Sequence, residues 1–146
     1  MRESICFWIV RELDGLAELT IELRSDDFSG RGSAYFDLGL LLEKAKEFSS
    51  YPLRGGGVTL AGGFLDKNDL SKLRQEHVRV FARTIGQSGR IGLWILLAEP
   101  SDDGQEIRRC ISAEIDTEYS QLSALSEGLA ALAEGRSDSF SIEFHD

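Results

Sequence analysis

The sequence predicts an α+β domain. The expected architecture is a single, mostly antiparallel sheet of about seven to eight strands with two helices packed on one face, in the order β-β-β-α-β-β-β-β-α-β. Three observations carry this reading. Short segments with period-two alternation recur along the chain, while only two segments carry apolar residues at helical spacing. Turn signals rather than crossover helices join most of the strands, which favours antiparallel neighbours. No repeat, linker or low-complexity tract divides the 146 residues. One domain over 1–146 is therefore expected, and a chain of this size buries roughly 68–70% of its extended surface without metal or disulfide staples.

The first strand is read over Ile5–Leu13, rich in β-branched and aromatic residues. Asp14-Gly15 is a two-residue hairpin signal, because a type I′ turn needs positive φ at both positions. Leu16–Arg24 alternates: Ala17, Leu19, Ile21 and Leu23 point one way, and Glu18, Thr20, Glu22 and Arg24 the other. Ser25 to Gly30 reads as a loop of turn formers, and Gly32–Phe36 as a short third strand. Asp37 is placed to cap a helix. Leu38, Leu41, Leu42, Ala45 and Phe48 form its apolar stripe, and Ser49-Ser50-Tyr51-Pro52 stops it.

The glycines at 55 to 57 form a flexible connection. Val58–Phe64 is a strand whose Gly62 and Gly63 suggest a bulge or a bend. Asp66–Arg74 is ambiguous; a short helical turn with Leu70 and Leu73 facing inward is one reading. Strands are expected over Glu76–Ile85, Arg90–Ala98 and Ile107–Ile115, with turns at Gln87-Ser88-Gly89 and over 100–104. Ser120 is the expected cap of a second helix carrying Leu122, Leu125, Leu129 and Leu132, and Gly135 is a left-handed stop. Phe140, Ile142 and Phe144 alternate in a last strand.

Charge narrows the partners. Sixteen Lys and Arg face twenty-five Asp and Glu, a net charge of −9. Binding to phosphates needs a cationic face, so nucleic acid and anionic lipid are not expected partners. A basic protein is the partner this field attracts. No secretory leader is read at residues 1–10, and no run approaches the ~18 apolar residues that cross a bilayer. A cytoplasmic location is the expectation, with Cys6 and Cys110 as buried free thiols.

The chemistry-bearing residues form no recognised constellation. The glycine clusters lack the lysine and hydroxyl of a Walker loop, and G-x-G-x-x-G is missing. His77 and His145 have no metal-ligand spacing around them, and no G-x-S-x-G elbow is present. No cofactor, metal or catalytic residue is expected, and the chain reads as a non-enzyme. Glu18, Glu22, Glu114 and Asp116 are the candidate partner-binding acids. Their alternative role is a wet sheet face that pairs across strands with Arg24, Arg79, Arg83 or Arg108, each pair contributing ~0.2–1 kcal/mol. Asp26/Asp27 and Asp102/Asp103 are turn pairs. Trp8 and Trp94 stand on strands apolar on both faces. Their outer faces need cover, either from loops and arginine stems or from a second copy in a homodimer.

A resemblance rests on particular strings. Asp27-Phe28-Ser29-Gly30-Arg31-Gly32-Ser33-Ala34-Tyr35-Phe36 is followed by a capped helix ending in Glu47-Phe48-Ser49-Ser50-Tyr51-Pro52-Leu53, then by Leu60-Ala61-Gly62-Gly63-Phe64. Asp116-Thr117-Glu118-Tyr119 precedes the leucine-rich helix and Gly135. These resemble a group of small uncharacterised bacterial α+β proteins and are distantly similar to the WapI-type immunity proteins. The motifs are turn glycines, a helix cap and core aromatics, so the resemblance transfers no functional residue. It implies a non-enzymatic protein-binding domain of immunity type, an inhibitor of a basic toxin. The alternatives are a structural homo-oligomer component, or a small-ligand or enzymatic domain whose site assembles only in space.

Overall fold

Eight strands and two helices follow in the expected order in a computed structural model, which describes residues 2–86, 89–101, 106–107 and 109–145. The elements are β1 (Arg2–Arg11), β2 (Leu16–Ser25), β3 (Phe28–Asp37), α1 (Leu38–Phe48), β4 (Gly57–Leu65), β5 (Leu73–Ile85), β6 (Arg90–Ala98), β7 (Cys110–Glu118), α2 (Tyr119–Glu134) and β8 (Ser139–His145). The expected turn at Gln87-Ser88, the pair Asp102/Asp103 and the cross-strand partner Arg108 lie outside the described residues.

The single sheet is corrected to two. Sheet A has the order β3-β2-β1-β8 and sheet B the order β4-β5-β6-β7, four antiparallel strands each. The break falls where α1 separates β3 from β4. The helices do not cover one face of one sheet. They pack on each other and reach the edges of both sheets, α1 against β3 and β4, α2 against β7 and β8. The reason is burial. Two helices would leave much of an eight-stranded sheet bare, whereas two smaller sheets place their apolar faces and both helices in one core. That core joins Phe7, Leu19 and Ile21 of sheet A, Val80, Ile95 and Leu97 of sheet B, and Leu41, Phe48, Leu125 and Leu129 of the helices. The Ser126 hydroxyl donates to the Ala45 carbonyl at 2.6 Å and ties the helices together.

β3 touches all four strands of sheet B and so lies across them. Three of its inward residues are small, Gly30, Gly32 and Ala34, and the fourth, Phe36, packs on the core at the α1 end. At Gly32 a Cβ would stand 2.2 Å from the His77 carbonyl oxygen, so the two backbones meet directly there.

Several local expectations hold. The β2 alternation does: Ala17, Leu19, Ile21 and Leu23 are fully buried. Asp37 Oδ1 accepts from the Leu40 amide at 3.0 Å, the expected cap of α1. Gly135 adopts φ 78 and ends α2. A bulge is present at Gly62 and Gly63, but on the partner strand: Gly62 faces Val78 and Gly63 faces Glu76, which leaves His77 of β5 as the extra residue.

Other expectations are corrected. β1 ends at Arg11 and Leu13 joins the loop, which lengthens the hairpin turn to three residues, while Asp14 at φ 65 and Gly15 at φ 77 keep the expected positive φ and join antiparallel β1 and β2. The loop at 25–30 is a tight turn: Ser25 pairs with Phe28, Asp26 takes φ 53, and β3 starts at Phe28. Residues 66–74 hold no helix. Asp66 accepts from the Asn68 amide and Asp69 from the Ser71 amide, local bonds that compete with helix formation. Leu70 is exposed there, and Leu73 opens β5. β7 begins at Cys110 and runs on to Glu118, directly into α2. Glu118 rather than Ser120 is therefore the helix cap position, and its side chain makes no cap bond. Cys6 is half-buried and Cys110 is exposed, so only the expectation of free thiols stands.

Candidate functional site

The outer face of sheet A is a ruled surface whose rows follow from the strand register. One row runs Val10–Glu18–Tyr35 across β1, β2 and β3. The next runs Ser139–Trp8–Thr20–Ser33 across β8, β1, β2 and β3, and the third Ser141–Cys6–Glu22–Arg31. Directly opposed residues stand with Cβ atoms ~4.5–5.5 Å apart, so side chains along a row touch.

At the hairpin end of this face the apolar groups are uncovered. Val10 is 54% exposed and Tyr35 58%, and they flank Glu18 on either side. Leu16, on the same face of β2, is also exposed, and Leu13 at the loop tip is 86% exposed. Trp8 lies one row away, half-buried, with the Arg31 guanidinium 5.4 Å from its ring centroid. Beside it Thr20 and Ser33 share a hydroxyl bond of 2.8 Å. Glu18 makes no ion pair among the described residues. An unpaired carboxylate ringed by apolar side chains can receive a cation and bury that cation's aliphatic stem at the same time.

The four candidate acids are not brought together. Glu18 and Glu22 occupy the outer face of sheet A, while Glu114 and Asp116 occupy the outer face of sheet B. Three of them are paired. Glu22 meets Arg24 at 3.0 Å and Arg31 at 3.5 Å, Glu114 meets Arg83 at 2.9 Å, and Asp116 meets Arg90 at 2.5 Å. Arg79, the other described candidate, pairs instead with Glu76 of its own strand. These exposed pairs contribute about 0–1 kcal/mol each and leave sheet B near neutrality on that face.

The tryptophans stand where the alternation puts them, on outer faces. The Arg79 guanidinium lies 5.5 Å from the Trp94 ring centroid and 5.9 Å from that of Phe81. Each indole is thus roofed by an arginine of its own chain, which supplies part of the cover that the sequence assigned to arginine stems or to a second copy. Tyr35, Val10 and Leu16 were not singled out from sequence. Their outward direction follows from alternation, but their meeting around Glu18 depends on the pairing register of three strands.

Away from this face, the bulge turns His77 inward, where it is 2% exposed. Its Nε2 bonds the Gln75 side-chain oxygen at 2.8 Å, and Gln75 in turn donates to Ser101. The Phe64 ring closes over the imidazole edge-on. Burial first, and the nearby Arg74 charge second, hold the His77 pKa below its ordinary 6.5. With Nε2 bonded to Gln75 and the Phe64 ring against it, this buried imidazole packs as a core group. Among the described residues no three His, Cys, Asp or Glu side chains are grouped so as to hold a metal. No helix among them is long and apolar enough to cross a membrane. Comparison with protein-family models, curated proteins and solved structures found no match.

Proposed function

We propose that the chain is a non-enzymatic protein-binding domain whose partner is a basic protein, and that it acts as an immunity-type inhibitor of a basic toxin. The single observation that carries the binding role is the set of exposed apolar residues Val10, Leu16 and Tyr35 beside Glu18, which makes no ion pair among the described residues. Interfaces draw their affinity from a few aromatic and charged anchors set in apolar surroundings, and Tyr is among the residues enriched there. The net charge of −9 raises the encounter rate with a cationic partner. The inhibitor reading rests on the acidic charge and on the distant resemblance of the sequence to immunity proteins.

The same face is a poorer match for a second copy. A two-fold contact sets like against like, so two Glu18 carboxylates would approach each other in an apolar surround. A basic partner turns that liability into an ion pair.

The test is affinity capture from the source organism with the wild-type chain and with the Glu18→Lys and Tyr35→Ala variants. A basic protein should be retained by the wild type and lost with Glu18→Lys. Tyr35→Ala should weaken the purified complex by about 2 kcal/mol or more, roughly thirtyfold. Equal recovery of that protein by all three chains would overturn the assignment to this face.

A further inference from the structure

The four sheet edges are not protected equally. β7 carries Glu114, Asp116 and Glu118 along its length. β8 is packed by α2, whose Gln121 amide donates to the Glu143 carbonyl at 3.1 Å. β3 lies across sheet B. β4 is flanked by α1 and crossed by β3, but its regular part carries no charge of its own and a groove remains between it and the helix. Its sequence, Gly-Val-Thr-Leu-Ala-Gly-Gly-Phe-Leu, holds no charge and no proline. Soluble proteins normally blunt an edge with charges, proline, a bulge or a cover, because unpaired edge groups template another strand. The register irregularity comes only opposite Gly62–Gly63, where β5 carries the extra residue His77, after the regular stretch Gly57–Ala61.

Beside that stretch lies a groove of about 430 Å³ between β4 and α1. Its floor and walls include Phe36, Leu40, Thr59 and Ala61, and Leu40 is 64% exposed. Its helical rim carries Glu43 and Glu47. Lys44 neutralises Glu47 at 2.9 Å, and Glu43 has no ion pair among the described residues. An uncharged edge strand facing an apolar groove walled by a helix is the arrangement in which an extended peptide adds as one more strand.

We infer that the groove between α1 and β4 binds an extended peptide segment of alternating apolar and basic residues, which pairs with the edge of β4. Backbone bonds to β4 hold the segment, its apolar side chains enter against Leu40 and Phe36, and its cations face Glu43. The alternative occupant is β4 of a second copy. Charge disfavours it, since two chains of −9 would meet with their glutamate rims together. This inference does not depend on the Glu18 face.

The probe is a fluorescein-labelled octapeptide of alternating valine and lysine, with a valine–glutamate octapeptide as its counterpart, read by fluorescence anisotropy on the intact chain. The valine–lysine peptide should bind saturably, and its binding should weaken at least tenfold with Leu40→Asn, tenfold with Thr59→Lys, and less than twofold with Phe28→Asn, an exposed site at the far end of β3. Leu40 is exposed, so its replacement leaves the core intact; circular dichroism checks this. Hydrogen exchange should show new protection in residues 57–62 and none in β7. Equal binding of the glutamate peptide, loss with Phe28→Asn but not with Leu40→Asn, absence of β4 protection, or a stable dimer by light scattering that Thr59→Lys dissolves would each overturn the inference.

Discussion

Gly32→Ala tests how the two sheets are held together. Gly32 sits at the middle of β3, opposite Ile21 of β2, and its inward hydrogen points at sheet B. An added methyl carbon would lie 2.2 Å from the His77 carbonyl oxygen and 3.2 Å from the Ala98 nitrogen. Comfortable contacts of this kind sit near ~3.5 Å, so β3 must retreat by roughly 1 Å. It cannot do so alone, because ten residue pairs bind it to β2. A retreat of that size forfeits about a quarter to a half of the dispersion attraction along the seam. Overpacking of this kind costs typically about 1–3 kcal/mol, and the obstacle here is backbone rather than a side chain that can swing away. The stiffer unfolded chain offsets ~0.4–1 kcal/mol. The expected net loss is about 2 kcal/mol, or a fall in Tm of about 4–8 °C for a chain of this size. Urea unfolding followed by tryptophan fluorescence measures it, with Trp8 reporting on sheet A and Trp94 on sheet B. A loss below about 0.5 kcal/mol would mean that β3 does not rest on the backbone of sheet B.

Two further outcomes are expected. Leu41→Ala should cost about 2–5 kcal/mol in the same melts, since Leu41 is fully buried in the shared core and its loss leaves a cavity; a change under about 0.5 kcal/mol would place the α1 stripe in water. Because the folded chain holds the His77 pKa below 6.5, the unfolded chain binds a proton first as pH falls; stability is therefore full above 6.5 and declines from there toward the lower folded value. Melts at pH 7.0 and 5.5 should show that decline in the wild type and a smaller one in His77→Gln, and equal slopes would contradict the burial of the neutral imidazole.

Local rules account for the parts of the fold that were legible in advance. The alternation of Ala17, Leu19, Ile21 and Leu23 stated which face of β2 is buried, because a one-residue slip would send Glu18 and Glu22 inside. Asp37 before an apolar stripe marked the start of α1, and Gly135 marked the end of α2, since both depend on backbone groups within one turn. The order of the ten main elements was legible for the same reason. Where two local signals competed, the reading slipped: the Asx bonds at Asp66 and Asp69 won over the helical spacing of Leu70 and Leu73.

Only the tertiary structure decided that the strands divide into two sheets and that β1 takes β8 as its second neighbour. Strand pairing is a contact between segments distant in sequence, and hydrophobic alternation is identical whether the buried face meets a helix, a loop or another sheet. The candidate site depended on the same undetermined quantity. Glu18 was legible as an outward acid, but Val10 and Tyr35 beside it come from strands before and after, and only their register sets them in one row. Conversely, Glu114 and Asp116 were legible as outward acids, yet Arg83 and Arg90 come from the hairpin partners β5 and β6 to neutralise them. The sequence by itself determined which side chains face out and that the surface is acidic, because those follow from period and composition. Which outward side chains become neighbours, and hence which acid has no cation beside it among the described residues, was settled by the register of the strand pairs, which a local pattern does not state.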